Sequence, residues 1–119
     1  MAPITCRRGE IYRADLNPVA GRKKAGGQPV LVIQNDTGNR YGDTTIVAPL
    51  VPSLPAKTYP TEVQIPAGMA GLDNDSSVLL SQVKTIDKRR LGQLVGQLDE
   101  KTMRQVDQAI MISLGLVPL

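Results

Sequence analysis

The fold is decided by one continuous apolar run, Pro29-Val30-Leu31-Val32-Ile33. A short run of this kind, rich in β-branched residues and flanked by polar stretches, is typical of a strand that is buried on both faces. Shorter or alternating apolar segments predict its neighbours at residues 9–16, 44–51, 61–65, 77–86 and 91–98. Turns rather than crossover helices separate these segments, so we expect an antiparallel sheet or a small barrel.

The last twenty residues change to helical spacing. Asp99 is a suitable N-cap, and one face of the helix after it collects Met103, Val106, Ala109, Ile110 and Ser113. We interpret this face as packing against the sheet or against a second subunit. The polar stretches at 17–28 and 35–43 predict a long loop and a turn region.

Composition excludes several classes of site. The chain has no histidine, so it lacks the commonest general acid–base group and the commonest metal ligand, and we expect neither a metal nor a cofactor. It has three tyrosines and no Trp or Phe, which excludes a broad aromatic platform for stacking bases.

Length and cysteine content bound the organisation of the chain. Its 119 residues predict a single domain over 1–119, with residues 1–7 flexible. Cys6 is the single cysteine, which excludes an internal disulfide and indicates a reducing compartment. No segment approaches a membrane span, so we expect a cytoplasmic protein that does not contact a membrane.

Charge is concentrated in the first half. Residues 1–60 carry eight basic and four acidic side chains, a bias that suits a polyanion or an acidic protein. The glycine-rich loop at 21–28 contains Arg22, Lys23 and Lys24, which suit phosphate contacts, and Gly26-Gly27, which permit close backbone approach. A mobile surface loop without a ligand is the alternative interpretation.

Four stretches share a register with a known pattern. They are Arg8-Gly9-Glu10-Ile11-Tyr12-x-Ala14-Asp15-Leu16-x-Pro18-Val19-x-Gly21, then Gly26-Gly27-x-Pro29-Val30-Leu31-Val32-Ile33-Gln34-Asn35-Asp36 followed by Gly38-Asn39-Arg40, then Pro60-Thr61-x-Val63, and finally Leu79-Leu80-x-Gln82-x-x-Thr85-Ile86-Asp87-Lys88-x-Arg90-Leu91. The pattern resembles the MazF/PemK/Kid family of toxins from type II toxin–antitoxin systems. The resemblance covers about residues 7–115.

The resemblance implies an SH3-like antiparallel β-barrel of the MazF/CcdB type with a C-terminal amphipathic helix, assembled as a homodimer. It implies a sequence-specific, metal-independent and ribosome-independent endoribonuclease (mRNA interferase) that cleaves single-stranded RNA. It also implies neutralisation by a cognate MazE-like antitoxin whose acidic tail lies along the RNA-binding surface. Candidate RNA-binding residues are Arg22, Lys23, Lys24, Gly26, Gly27, Asn35 and Gln82.

In the chemistry that the resemblance implies, the ribose 2′-hydroxyl attacks the adjacent phosphorus. The substrate therefore supplies its own nucleophile, and the protein positions the strand, moves protons and stabilises the developing charge. The resemblance assigns this work to an Arg directly before the Pro-Val-Leu-Val-Ile strand and to a Thr at the end of the next long strand.

Both of these catalytic positions differ in this chain. Gln28 stands in place of the Arg and Val51 in place of the Thr. Gln28 lacks the charged fork of a guanidinium, and Val51 keeps the shape of threonine without its hydroxyl. We therefore expect cleavage to be slow or absent, with the basic side chains of the 21–28 loop and the hydroxyl of Ser53 as candidate replacements.

Two other functions stay open at the level of sequence. The first is a catalytically weak or inactive member that binds RNA or an antitoxin. The second is a CcdB-like toxin that binds a protein partner and is not a nuclease.

Overall fold

The computed structural model describes residues 5–16, 27–53 and 59–119. Within these ranges the elements are β1 (Glu10–Ala14), β2 (Gln28–Val32), α1 (Asp36–Tyr41), β3 (Thr44–Pro52), β4 (Glu62–Ile65), a 3-10 turn (Met69–Gly71), β5 (Ser76–Leu79), β6 (Lys84–Asp87), a second 3-10 turn (Lys88–Arg90), β7 (Leu91–Gln97) and α2 (Glu100–Ser113). None of the described helices is long and apolar enough to cross a membrane.

The strands form one antiparallel sheet in the order β4-β5-β3-β2-β1-β7, and β6 pairs with β3. β3 serves two partners along one edge, because residues 44–47 pair with β6 and residues 50–52 pair with β5. The first strand, β1, lies beside the last strand, β7. The predicted antiparallel β fold with a C-terminal helix is therefore confirmed.

The apolar run that predicted a buried central strand forms β2, between β1 and β3. Val30, Leu31 and Val32 are fully buried. Leu31 packs in one hydrophobic cluster, while Val30 and Val32 pack in another on the opposite face of the strand. The prediction is confirmed because side chains alternate along the strand and both of its faces are covered.

Helix α2 covers one of these two clusters. Val106 and Ala109 are buried in the cluster that contains Leu31, and the Asp99 side chain accepts a hydrogen bond from the Thr102 backbone N–H at 2.8 Å. Both the apolar face and the N-cap predicted from sequence are confirmed. An N-cap of this kind contributes about 1 kcal/mol to helix stability.

In the described residues, the β4–β5 connection fills the gap between the two edge strands, β4 and β7, by packing against β7. The two edge strands are not paired there by backbone hydrogen bonds. The connection from β4 to β5 lies so close to β7 that a Cβ on Gly96 would sit 2.1 Å from the Ala70 carbonyl oxygen, and one on Gly71 would sit 2.2 Å from the Val95 carbonyl oxygen. Ala70 and Gly71 both have positive φ, 54° and 77°. In the described residues β4 does not pair with β7, so the sheet does not close into the barrel that the resemblance implies, and at this gap the β4–β5 connection packs against β7.

The segment 35–43, predicted to be a turn region, contains helix α1. Asn35 caps it by accepting the Gly38 backbone N–H at 2.7 Å. Asn39 is fully buried and donates to the Gln34 carbonyl at 2.9 Å. The prediction was wrong because Asn and Asp favour turns and helix N-caps alike.

The segment 77–86, predicted to be one strand, is two strands. A turn between β5 and β6, in which Gln82 N donates to the Leu79 carbonyl at 3.2 Å, interrupts it. The turn carries the chain from one half of β3 to the other. β3 is long enough to pair with two strands in succession. The apolar pattern of 77–86 does not show this.

The flexible segment predicted at 1–7 does not include Cys6, which is 2% exposed. Its side chain packs in the cluster that contains Val30 and Val32, because the cysteine side chain behaves as a small hydrophobe. Residues 1–4 lie outside the described part of the chain.

Candidate functional site

A cleft of about 180 Å³ opens at one end of the sheet. β1 and β2 contribute Arg13 and Pro29, β3 contributes residues 50–52, the β4–β5 connection contributes residues 71–74, and β7 contributes Val95. The cleft thus lies where a strand end, a tight turn and the edge strand β7 meet.

Gln28 and Val51 belong to adjoining strands at this end of the sheet. β2 pairs with β3 through Val30 and Pro49, and continuing that register by two residues sets Gln28 opposite Val51. The Gln28 Nε2 donates to the Leu50 carbonyl at 3.4 Å. The structure therefore brings together the two positions where the resemblance implies catalytic side chains. Val51 lines the cleft, and on β2 the lining residue is Pro29.

The hydroxyl of Ser53, the candidate replacement for the missing threonine hydroxyl, is hydrogen-bonded to a residue of β4. The Ser53 Oγ is hydrogen-bonded to Gln64 Oε1 on β4, and the Ser53 backbone N–H donates to the Asp75 carbonyl at 3.0 Å. Ser53 does not line the cleft. The hydroxyl already has an acceptor, so a catalytic use of it would require this bond to break.

The candidate loop residues Arg22, Lys23, Lys24 and Gly26 lie outside the described residues. Gly27, the next residue, has φ +73°, and a Cβ there would lie 2.9 Å from the Ala14 carbonyl oxygen. A glycine at this position is required by the backbone conformation and by the close approach to β1.

Asn35 and Gln82 lie away from the cleft. Asn35 follows the end of β2 opposite to Gln28, and its side chain caps α1. Gln82 is exposed in the turn between β5 and β6. Neither side chain lines the cleft with Val51, so their prediction as RNA-binding residues stays a prediction.

Arg13 is the cleft residue that sequence reasoning did not single out. It pairs with Pro29 across β1 and β2, and its Nη1 donates to the Gly27 carbonyl at 3.3 Å. The sequence gives one indication of its position, which is the alternation of side chains along β1. Ile11, two residues earlier, is fully buried, and residues two apart in a strand point to the same face.

Tyr12 of β1 and Cys6, which precedes β1, are both held in their neutral forms. Burial and the Glu10 carboxylate, to which its hydroxyl donates at 2.9 Å, raise the pKa of Tyr12. Burial raises the pKa of the Cys6 thiol. At neutral pH neither residue is ionised, so neither provides a base or a thiolate nucleophile.

Comparisons with known proteins agree with this architecture. A family described as "PemK-like, MazF-like toxin of type II toxin–antitoxin system" matches residues 7–114. The chain is 47% identical over 111 residues to endoribonuclease EndoA of Bacillus subtilis, covering 93% of this chain and 96% of that protein.

Two solved structures have the same fold. One is an endoribonuclease from mycobacterial species, with a TM-score of 0.78 and 24% identity over 100% of this chain and 99% of that one. The other is a mycobacterial endoribonuclease in complex with its cognate antitoxin, with a TM-score of 0.78 and 25% identity over 96% of this chain and 99% of that one. The chain therefore belongs to the family of PemK-like, MazF-like toxins of type II toxin–antitoxin systems.

Proposed function

We propose that this endoribonuclease toxin cleaves single-stranded mRNA at specific sequences, without a metal ion and without the ribosome, in the cytoplasm. The observation that carries the proposal is the cleft that Arg13 and Val51 line, at the strand end where continuing the β2–β3 register places position 28 opposite position 51. The 47% identity to an endoribonuclease supports the reaction class. We further propose that the 119 residues act as a single domain.

The reaction is an internal transfer within the RNA. The 2′-hydroxyl of one ribose gives up its proton as its oxygen bonds to the adjacent phosphorus, the bond from phosphorus to the 5′-oxygen of the next nucleotide breaks, and that oxygen takes up a proton. The products are a 2′,3′-cyclic phosphate and a 5′-hydroxyl. The protein holds the strand so that attack is in line and supplies donors to the phosphate oxygens, which gain charge in the transition state.

We propose that a cognate MazE-like antitoxin neutralises the toxin by lying along the RNA-binding surface. The likeness in fold to a toxin solved with its cognate antitoxin supports this proposal. The positive charge of the first half suits an acidic antitoxin segment as well as RNA. Arg22, Lys23 and Lys24 remain proposed phosphate contacts on this surface.

The proposed assembly is a homodimer. Exposed leucines follow helix α2, with Leu114 60%, Leu116 70% and Leu119 90% exposed, and clustered exposed apolar side chains mark contact surfaces. Size exclusion with light scattering should give about twice the chain mass of 12.8 kDa at micromolar concentration. A mass of one chain, unchanged on concentration, would contradict the dimer.

The cleavage reaction is tested directly on purified protein. Mixed single-stranded RNA is incubated with the protein in excess chelator, and the product ends are mapped. We expect slow cleavage at a restricted set of sequences, because Gln28 and Val51 replace the Arg and Thr, and each cut should leave a 2′,3′-cyclic phosphate. DNA of the same sequences is the matched control and should stay intact because it lacks the 2′-hydroxyl nucleophile. RNA that is bound but left uncut, or cut only when magnesium is added, would overturn the proposal.

A further inference from the structure

We propose that Arg13 binds a phosphate group of the RNA in the cleft and provides the positive charge that Gln28 does not. The inference rests on the proposed function, which supplies the polyanionic ligand. Arg13 has no assigned role, and it lies on β1, one strand away from the position where the resemblance implies the catalytic Arg.

The first support is that the Arg13 guanidinium has no anionic partner among residues 5–16, 27–53 and 59–119. Its hydrogen bonding within the described residues is the single bond from Nη1 to the Gly27 carbonyl, and the ion pairs among those residues involve other side chains. Most of its N–H donors are therefore available in a half-buried position. A guanidinium with free donors at the wall of a cleft matches the fork geometry of a phosphate.

The second support is its place relative to Gln28 and Val51. Arg13 is directly opposite Pro29, the residue after Gln28, and neighbouring strands are about 4.8 Å apart. The Arg13 side chain leaves the sheet on the face of Pro29, and its Nη1 reaches the Gly27 carbonyl at 3.3 Å, next to position 28. The Gln28 amide, in contrast, is engaged with the Leu50 carbonyl. Arg13 and Val51 line the same cleft.

The charges of the cleft favour one orientation of a bound nucleotide. Among the described residues that line it, Arg13 is the basic one, and Asp73 of the β4–β5 connection is the acidic one. A phosphate is repelled by the Asp73 carboxylate and attracted by Arg13, so it lies on the β1–β3 side, next to Val51.

The size of the cleft limits what it encloses. Its volume of about 180 Å³ is below the ~300–1,000 Å³ of pockets that enclose a drug-sized ligand. A phosphate group fits within this volume. Arg13 then contacts the RNA backbone, which fixes the strand in position without reading its sequence.

The test compares Arg13→Gln with Arg89→Gln, which removes the same charge elsewhere. Arg89 is exposed and paired with Asp87, near the Thr44 end of β3 and away from the cleft. Arg13→Gln should lower kcat/KM for RNA on the order of 100-fold, the usual loss for a charged transition-state contact. Arg89→Gln should change kcat/KM by less than about twofold, as exposed charges contribute little. Arg13→Lys keeps the charge without the fork and should fall between Arg13→Gln and the unmodified chain.

A compensating variant separates a phosphate contact from a structural role. In Arg13→Gln/Gln28→Arg a guanidinium returns to the neighbouring strand, and kcat/KM should rise about tenfold over Arg13→Gln alone. A structural role for Arg13 predicts no such recovery. Far-UV circular dichroism and thermal melting of each variant establish that the fold is retained.

Binding of a fully 2′-deoxy analogue, which cannot be cut, completes the experiment. The inference is overturned if Arg13→Gln and Arg89→Gln have equal effects on cleavage while the unmodified chain cuts RNA, and the proposed function then stands. If the unmodified chain does not cut RNA, the proposed function fails. The phosphate contact of Arg13 is then tested by the affinity of each variant for the 2′-deoxy analogue. Weaker binding by Arg13→Gln than by Arg89→Gln supports the phosphate contact, and equal or absent binding overturns it.

Discussion

The double variant Gln28→Arg/Val51→Thr should cleave single-stranded RNA at least about tenfold faster than the unmodified chain, because one charged or hydrogen-bonding donor at a transition state contributes ~10²–10³-fold. Gln28→Arg adds a guanidinium beside the phosphate, and Val51→Thr adds a hydroxyl with almost no change in volume. Continuing the β2–β3 register places position 28 opposite position 51, so we expect both groups to reach the same phosphate. The measurement is the initial cleavage rate in chelator, with the product ends mapped.

The single variants Gln28→Arg and Val51→Thr show how much each substitution contributes to the increase in cleavage rate. If Arg13 already supplies a cation, Val51→Thr should account for more of the increase than Gln28→Arg. Val51→Ala, which adds no hydroxyl, is the control for a change of shape at this position. Equal rates for the unmodified chain and the double variant, with both folds intact in circular dichroism, would show that positions 28 and 51 do not carry the chemistry.

Replacement of Gly96 by alanine should destabilise the fold by roughly 3 kcal/mol or more, at the upper end of overpacking effects. The added Cβ would lie 2.1 Å from the Ala70 carbonyl oxygen, which no side-chain rotation relieves because the obstacle is backbone. Ala70 already has a φ of 54°, so the turn has little freedom to retreat. A loss of this size is a large share of the ~5–15 kcal/mol that stabilises a domain. Urea denaturation of both proteins gives the difference in unfolding free energy.

Gly68→Ala is the matched control on the same turn. Gly68 has a φ of +90°, but a Cβ there meets no atom within 4 Å. It should therefore lose only about 1–2 kcal/mol, the cost of a left-handed conformation for an L-residue. A smaller loss for Gly96→Ala than for Gly68→Ala would mean that the turn moves freely away from β7 and that this contact adds little to the stability of the fold.

The strands and the C-terminal helix were predictable because each has a local signature. The run at 29–33 is apolar on both faces, and α2 combines an N-cap at Asp99 with an apolar face at helical spacing. Helix α1 was missed because six residues are too few to show a period. The break between β5 and β6 was missed because it depends on how long a distant strand, β3, is.

The candidate site was predictable in part. The positions 28 and 51 came from the resemblance, and the pairing of β2 with β3 brings them together. Arg13 was counted among the basic residues of the first half, but its importance depends on its being opposite Pro29 and beside a cleft whose other walls come from residues 50–52, 71–74 and 95. Which residues become neighbours across a sheet depends on the register between its strands, and the sequence of a single strand does not determine that register.

The pairing of the first strand with the last has a consequence for biosynthesis. Glu10 pairs with Gln97, and Val95 forms part of the cleft that contains Arg13. A nascent chain therefore carries an incomplete cleft until β7 has left the ribosome, and at ~5–20 residues per second this takes several seconds after β1 is made. A chain released before β7 would lack this wall of the cleft.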